Sequence, residues 1–95
     1  MPFEFDPGKS AANKEKHGVD FVEAQALWSD PDEVPGRSDV EPRSILIGRI
    51  RETAWAACIT YRHEETIRII SVRRARARER QEYERHRASN ERDTR

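Results

Sequence analysis

The strongest constraint on this chain is the spacing of three apolar, β-type runs, Ser44–Ile50, Ala54–Tyr61 and Thr66–Val72. They are rich in Ile, with aromatics and Thr, as half-buried strands require. The breaks between them are only Arg51–Thr53 and Arg62–Glu65. So few residues cannot hold the crossover that parallel neighbours need, so the runs must pair consecutively and antiparallel, as a β-meander.

What surrounds the three runs reads as short helices with explicit stops. Phe3 and Phe5 alternate with Glu4 and Asp6, the pattern of a brief strand with one buried face. Asp6 caps a helix that opens on Pro7, whose missing N–H is not needed there, and Gly18 ends it after Lys14, Lys16 and His17. This predicts a helix over Pro7–Lys16. A second start lies at Asp20, with Glu23 three residues on as its capping-box partner and Val19 placed to staple onto Ala24. Phe21, Ala24, Leu27 and Trp28 then form one apolar stripe, predicting a helix over Phe21–Trp28. From Ser29 to Pro42 the density of Asp, Glu, Pro and Gly predicts an exposed, mobile acidic loop. A last helix over Arg76–Arg87 has no apolar stripe beyond Ala77 and Tyr83, and residues 89–95 read as a disordered tail. The fold class is α+β: one small domain over residues 1–88, built of a strand, two helices, a three-stranded meander and a C-terminal helix.

Composition narrows function. Ile, Val, Leu and Phe total 17 of 95 residues, a thin core for a chain in which 38% of residues are charged. The formal net charge is zero, yet residues 1–40 carry four cations against nine acids and residues 41–95 fourteen against nine, so the molecule is electrically bipolar. One cysteine, Cys58, allows neither a disulfide framework nor a cysteine metal site within the chain. The longest uncharged stretch, Thr53–Tyr61, is too short to span a bilayer, and no signal-peptide pattern opens the chain. A cytoplasmic protein without membrane contact is expected. There is no glycine-rich phosphate loop, nucleophile elbow or metal-spaced carboxylate cluster, so neither cofactor nor metal is expected.

The sharpest chemical feature is the run of Arg68, Arg73, Arg74, Arg76, Arg78 and Arg80 against a single acid, Glu79, over residues 66–80. A strand end feeding a helix start sets guanidinium groups beside free backbone amides, and both favour a phosphate. The same pattern also suits a solvated, ion-paired helix face. Arg68 stands out because it interrupts the Ile-rich strand; it faces either a functional concavity or an edge protected against aggregation. His17 can move a proton near neutral pH or, at a helix end, simply satisfy carbonyls. Glu79 and Tyr83, four apart on one helix face, could serve phosphodiester chemistry, although Tyr83 reads more simply as an anchor onto the sheet. His63 and His86 have no partner spacing that suggests a role.

Phe3-Glu4-Phe5-Asp6-Pro7, Lys9, Asn13, Lys16-His17-Gly18-Val19, Phe21 and Glu23-Ala24 together resemble the first half of the BrnT family of toxins. Ile67-Arg68-Ile69-Ile70-Ser71-Val72-Arg73-Arg74-Ala75, with Glu79-Arg80 and Tyr83-Glu84, resembles its second half. One departure is Arg76, where the family often places a small capping residue before the last helix. The resemblance implies a RelE-like fold and a toxin of a type II toxin-antitoxin pair that cleaves RNA to arrest growth. It implies a BrnA-like antitoxin partner, a DNA-binding dimer, with promoter DNA reached only through the complex. Arg68, Arg73 and Arg74 are then expected at the phosphate and His17 or Glu79 at proton transfer, with Lys16, Arg76, Arg80 and Tyr83 contacting RNA. A non-catalytic or degenerate module that still binds RNA or its partner has the same basic groove and differs in leaving RNA uncut.

Overall fold

The computed structural model describes residues 2–29, 32–35, 43–63 and 65–93. Its element order is β1 (Phe3–Glu4), α1 (Pro7–His17), a 3₁₀ helix (Glu23–Ser29), β2 (Asp32–Pro35), β3 (Ser44–Ile50), β4 (Thr53–Arg62), β5 (Thr66–Arg74) and α2 (Ala77–Asp93). The five strands form one sheet in the order β1-β5-β4-β3-β2. β3, β4 and β5 pair consecutively and antiparallel, as their short connections require, and β1 joins the outer side of β5 in parallel.

Three expectations need correction. Part of the acidic segment is a strand: Asp32–Pro35 pairs antiparallel with Ile47–Ser44, and Pro35 is tolerated because it ends an edge strand. The remainder of that segment, residues 30, 31 and 36–42, lies outside the described residues. The predicted second helix is the shorter 3₁₀ helix, although its start is as read: Asp20 Oδ1 accepts the N–H of Val22 and Glu23 at 2.9 and 2.7 Å, and the Asp20 N–H reaches Glu23 Oε1 at 3.0 Å. The capping box is thus independent of which helix follows it. Lastly, α2 continues to Asp93, where a tail was expected from residue 89, because neither Pro nor Gly interrupts the chain after Arg76. Residues 94 and 95 lie outside the described residues.

The sheet has two unequal faces. On one, Leu46, Trp55, Ala57, Ile59, Ile67, Ile69 and Val72 pack with Val19, Phe21, Ala24 and Leu27 of the capping segment and 3₁₀ helix. Phe3 and Phe5 border this core, edge-on to Trp28 and Phe21 at ring-centre distances of 4.8 and 5.7 Å. On the other face a smaller cluster of Ile47, Ala56, Ala75 and Tyr83 seats α2. That helix covers only one end of its face: Cys58, in the central strand and in register with Ile45 and Ser71, remains half-buried, and Ser71 is exposed. Among the described residues, the half-face beyond α2 is left partly exposed at Cys58 and Ser71.

Helix α1 follows its signals, capped by the Asp6 carboxylate on the N–H of Gly8 and Lys9 and closed by Gly18 at φ 89°. Its buried residues are polar. Asn13 donates to Val19 O at 2.7 Å and accepts from the Val72 N–H at 3.1 Å, and Ser10 Oγ accepts from the Phe21 N–H at 2.9 Å. Hydrogen bonding, more than an apolar stripe, holds α1 beside β5.

Candidate functional site

The arginine run divides according to the pleat of β5. Strand partners share a face, and Arg74 lies opposite Trp55, so it belongs to the face of the main core, where it is exposed at the strand end. Arg73 lies opposite Ala56, on the face that carries α2. Arg68 lies opposite Thr60 and Glu4 on that same face. Residues five apart on a regular strand would point to opposite sides, but the pairing steps from Cys58–Ser71 to Ile59–Ile69, leaving Ile70 as the extra residue of a β-bulge. The bulge brings Arg68 and Arg73 onto one face, a consequence that alternation read from sequence does not reveal.

Arg73 and Glu79 form the tightest side-chain contact at the β5–α2 junction. The guanidinium donates twice, to Glu79 Oε1 at 2.8 Å and Oε2 at 3.0 Å. The Arg76 N–H donates to the same Oε1 at 2.8 Å, so Glu79 supplies the half of a capping box that survives without a hydroxyl at Arg76. The bond from Arg73 holds the Glu79 carboxyl below the usual range against the opposing effect of burial, with the Arg76 N–H and the nearby guanidinium charges adding to it. Glu79 in turn raises the Arg73 value. Both oxygens of the carboxylate are thus engaged, by Arg73 and by the start of α2. Glu79 is therefore built as a brace.

Tyr83 is likewise structural. It is 1% exposed, packed in the cluster with Ile47, Ala56 and Ala75, with the guanidinium carbons of Arg49 and Arg87 5.9 and 5.7 Å from its ring centre. This packing is what an anchor of α2 onto the sheet needs. Arg76 and Arg80 are exposed, Arg80 donating to Ala75 O at 3.3 Å, and Arg78 between them is exposed as well. Arg68 is not free: its guanidinium donates to Glu4 Oε1.

His17 is half-buried at the end of α1, and Lys16 beside it is exposed. Helix and strand run in the same sense, since Asp6 at the start of α1 feels the charge of Arg68 while Asn13 is bonded to Val72. One turn carries His17 about 6 Å beyond Asn13, and two strand residues carry Arg74 about 7 Å beyond Val72. Lys16 and His17 thus reach the level of Arg74, where β5 gives way to α2. The signal for this in sequence is Asn13, whose buried amide sets the alignment.

Residues 5–79 match the family model described as ribonuclease toxin, BrnT, of type II toxin-antitoxin system. The chain belongs to the BrnT family. It is accordingly a ribonuclease toxin with an antitoxin partner. The crystal structure of the Brucella abortus ribonuclease toxin BrnT is similar to it at a TM-score of 0.67 and 26% identity, over 80% of this chain and 97% of that one. No curated protein sequence matches. The BrnT match takes in His17, Arg68, Arg73, Arg74 and the Glu79 brace, and ends in the first turn of α2. Tyr83 and the rest of the helix lie beyond it.

Proposed function

We propose that this BrnT toxin cleaves RNA without a metal, by transesterification, at the junction where the ends of α1 and β5 meet the start of α2. The ribose 2′-oxygen attacks the adjacent phosphorus and gives up its proton. The bond from phosphorus to the 5′-oxygen then breaks, that oxygen takes up a proton, and a cyclic phosphate and a free 5′-hydroxyl remain. His17 is the proton-transfer group and Lys16 supports it. Arg74, with Arg76, Arg78 and Arg80, balances the charge that grows on the phosphate oxygens. Arg73 contributes through its brace to Glu79, which fixes the direction in which α2 leaves the strand. The observation that carries this reading is the alignment of α1 along β5 through Asn13 and Val72, which brings an imidazole to the level of exposed guanidinium groups.

The fold kinship is RelE-like on this reading. The partner is a BrnA-like DNA-binding antitoxin, promoter DNA is reached only through the complex, and the setting is the cytoplasm; among the described residues no helix is long and apolar enough to cross a membrane. One observation favours the second reading, a toxin that binds RNA without cutting it: Arg68 and Arg73 are each neutralised by a carboxylate of the chain.

Purified protein incubated with a defined single-stranded RNA in EDTA separates the two. Cleavage producing cyclic-phosphate and 5′-hydroxyl ends, reduced about 100-fold or more in both Arg74→Ala and His17→Ala, is the expected result. A gel shift with RNA of unchanged length would establish the binder, and full activity in His17→Ala would remove the imidazole from the mechanism.

A further inference from the structure

The half-face of the sheet beyond α2 ends, far from the junction, in a second group of arginines. Arg68 on β5 and Arg62 on β4 converge on the single carboxylate of Glu4, Arg68 by a direct hydrogen bond and Arg62 at 3.8 Å. All three side chains reach solvent, with 30% of Arg68, 38% of Glu4 and 51% of Arg62 exposed. Tying β1 to β5 needs only one guanidinium, and that task is already shared by the backbone bond from Ile67 N–H to Pro2 O at 3.0 Å and by the edge contact of Phe3 with Trp28. The second arginine is surplus to the latch. Asp6 is engaged as the cap of α1 by the N–H of Gly8 and Lys9 and acts on Arg68 only through space.

This group shares its face with Arg73 and α2. Between them lie half-buried Cys58 and exposed Ser71, and Arg68 is five residues from Arg73 on this same face, about 16 Å along an extended strand, while Arg74 lies on the other face. An extended single strand held at the junction can cross Cys58 and Ser71 and meet the second group. We propose that Arg62 and Arg68 form a second phosphate subsite for RNA, and that Glu4 is a built-in competitor which an RNA phosphate displaces to occupy it. The proposal rests on the reading of the junction as the place where RNA is cut, and adds to it a gated contact several nucleotides away. A phosphate suits the pair because two guanidinium groups can bind its oxygens as they bind the carboxylate, and because displacing Glu4 leaves both donors satisfied.

The test is fluorescence anisotropy with a non-cleavable 2′-O-methyl oligonucleotide of about ten residues, a length within single-strand site sizes, and with a dinucleotide. Glu4→Gln should bind the longer probe several-fold more tightly than wild type and leave dinucleotide binding unchanged. Arg62→Ala, which keeps the Arg68–Glu4 bond, should weaken the longer probe and reduce the slope of log affinity against log salt by about 0.7. Arg85→Ala, an exposed arginine on α2, serves as the charge control and should do neither. Unchanged or weaker binding in Glu4→Gln with circular dichroism intact would overturn the subsite, as would equal losses in Arg62→Ala and Arg85→Ala. If Glu4→Gln loosens β1 instead, the Arg62→Ala comparison decides alone. Cleavage by wild type without any effect of Glu4 leaves the nuclease reading standing and removes the subsite; tighter binding in Glu4→Gln without cleavage does the reverse.

Discussion

Glu79 holds two structural positions at once, one on Arg73 and one at the start of α2. Its three-residue spacing from Arg76 is legible as half a capping box, but its pairing with Arg73 is not, since that depends on how β5 hands over to α2. Replacing it by Ala removes two guanidinium bonds and a helix cap from a partly exposed site, so an unfolding free energy lower by about 1–2 kcal/mol is expected in urea at neutral pH. The pH dependence has a definite sign. The folded carboxyl is lowered, mainly by Arg73, so its stabilisation is present above the unfolded value of about 4.3 and is lost as pH falls through the folded value. Wild type and Glu79→Ala should therefore converge in stability as the pH is taken from neutral to about 3. A constant difference across that range would show that the brace does not depend on the charge.

Among the elements, those specified by local chemistry were legible and those specified by packing were not. Asp6, Pro7 and Gly18 delimit α1 in the sequence as in the structure, and the three central strands follow from their short connections. The bulge at Ile70, the strand within the acidic segment and the 3₁₀ form of the second helix arise from neighbours distant in sequence. Gly48 is an example: a Cβ there would stand 2.6 Å from Leu27 O, so β3 and the 3₁₀ helix meet backbone to backbone. Gly48→Ala should cost about 1–3 kcal/mol through forced separation of the two, measurable as a lower urea midpoint. Asn13 has the corresponding role for α1. Its replacement by Ala strands the Val72 N–H and Val19 O in the interior, for an expected loss of about 2–4 kcal/mol, and displaces His17 from the level of Arg74. Cleavage should fall even at temperatures where Asn13→Ala stays folded; unimpaired activity there would mean that α1 does not need its register with β5.

At the scale of the molecule, the formal charge of zero conceals two opposed halves, and the internal ion pairs decide how much of the basic half is available. Of the six arginines between residues 66 and 80, Arg68 and Arg73 are held by Glu4 and Glu79, while Arg74, Arg76, Arg78 and Arg80 are exposed. Only guanidinium groups that exchange counterions for phosphates contribute to the salt dependence of binding, about 0.7 in the log–log slope for each contact with a single strand. A short RNA confined to the junction should therefore give a slope of about −3, against about −4 if all six arginines engaged phosphates. A longer RNA that displaces Glu4 should be steeper than the short one, because it adds contacts at Arg62 and Arg68. Titrations between about 50 and 200 mM salt resolve these cases. Equal slopes for the two lengths would mean that the internal carboxylates keep their arginines throughout, and that the junction alone holds RNA.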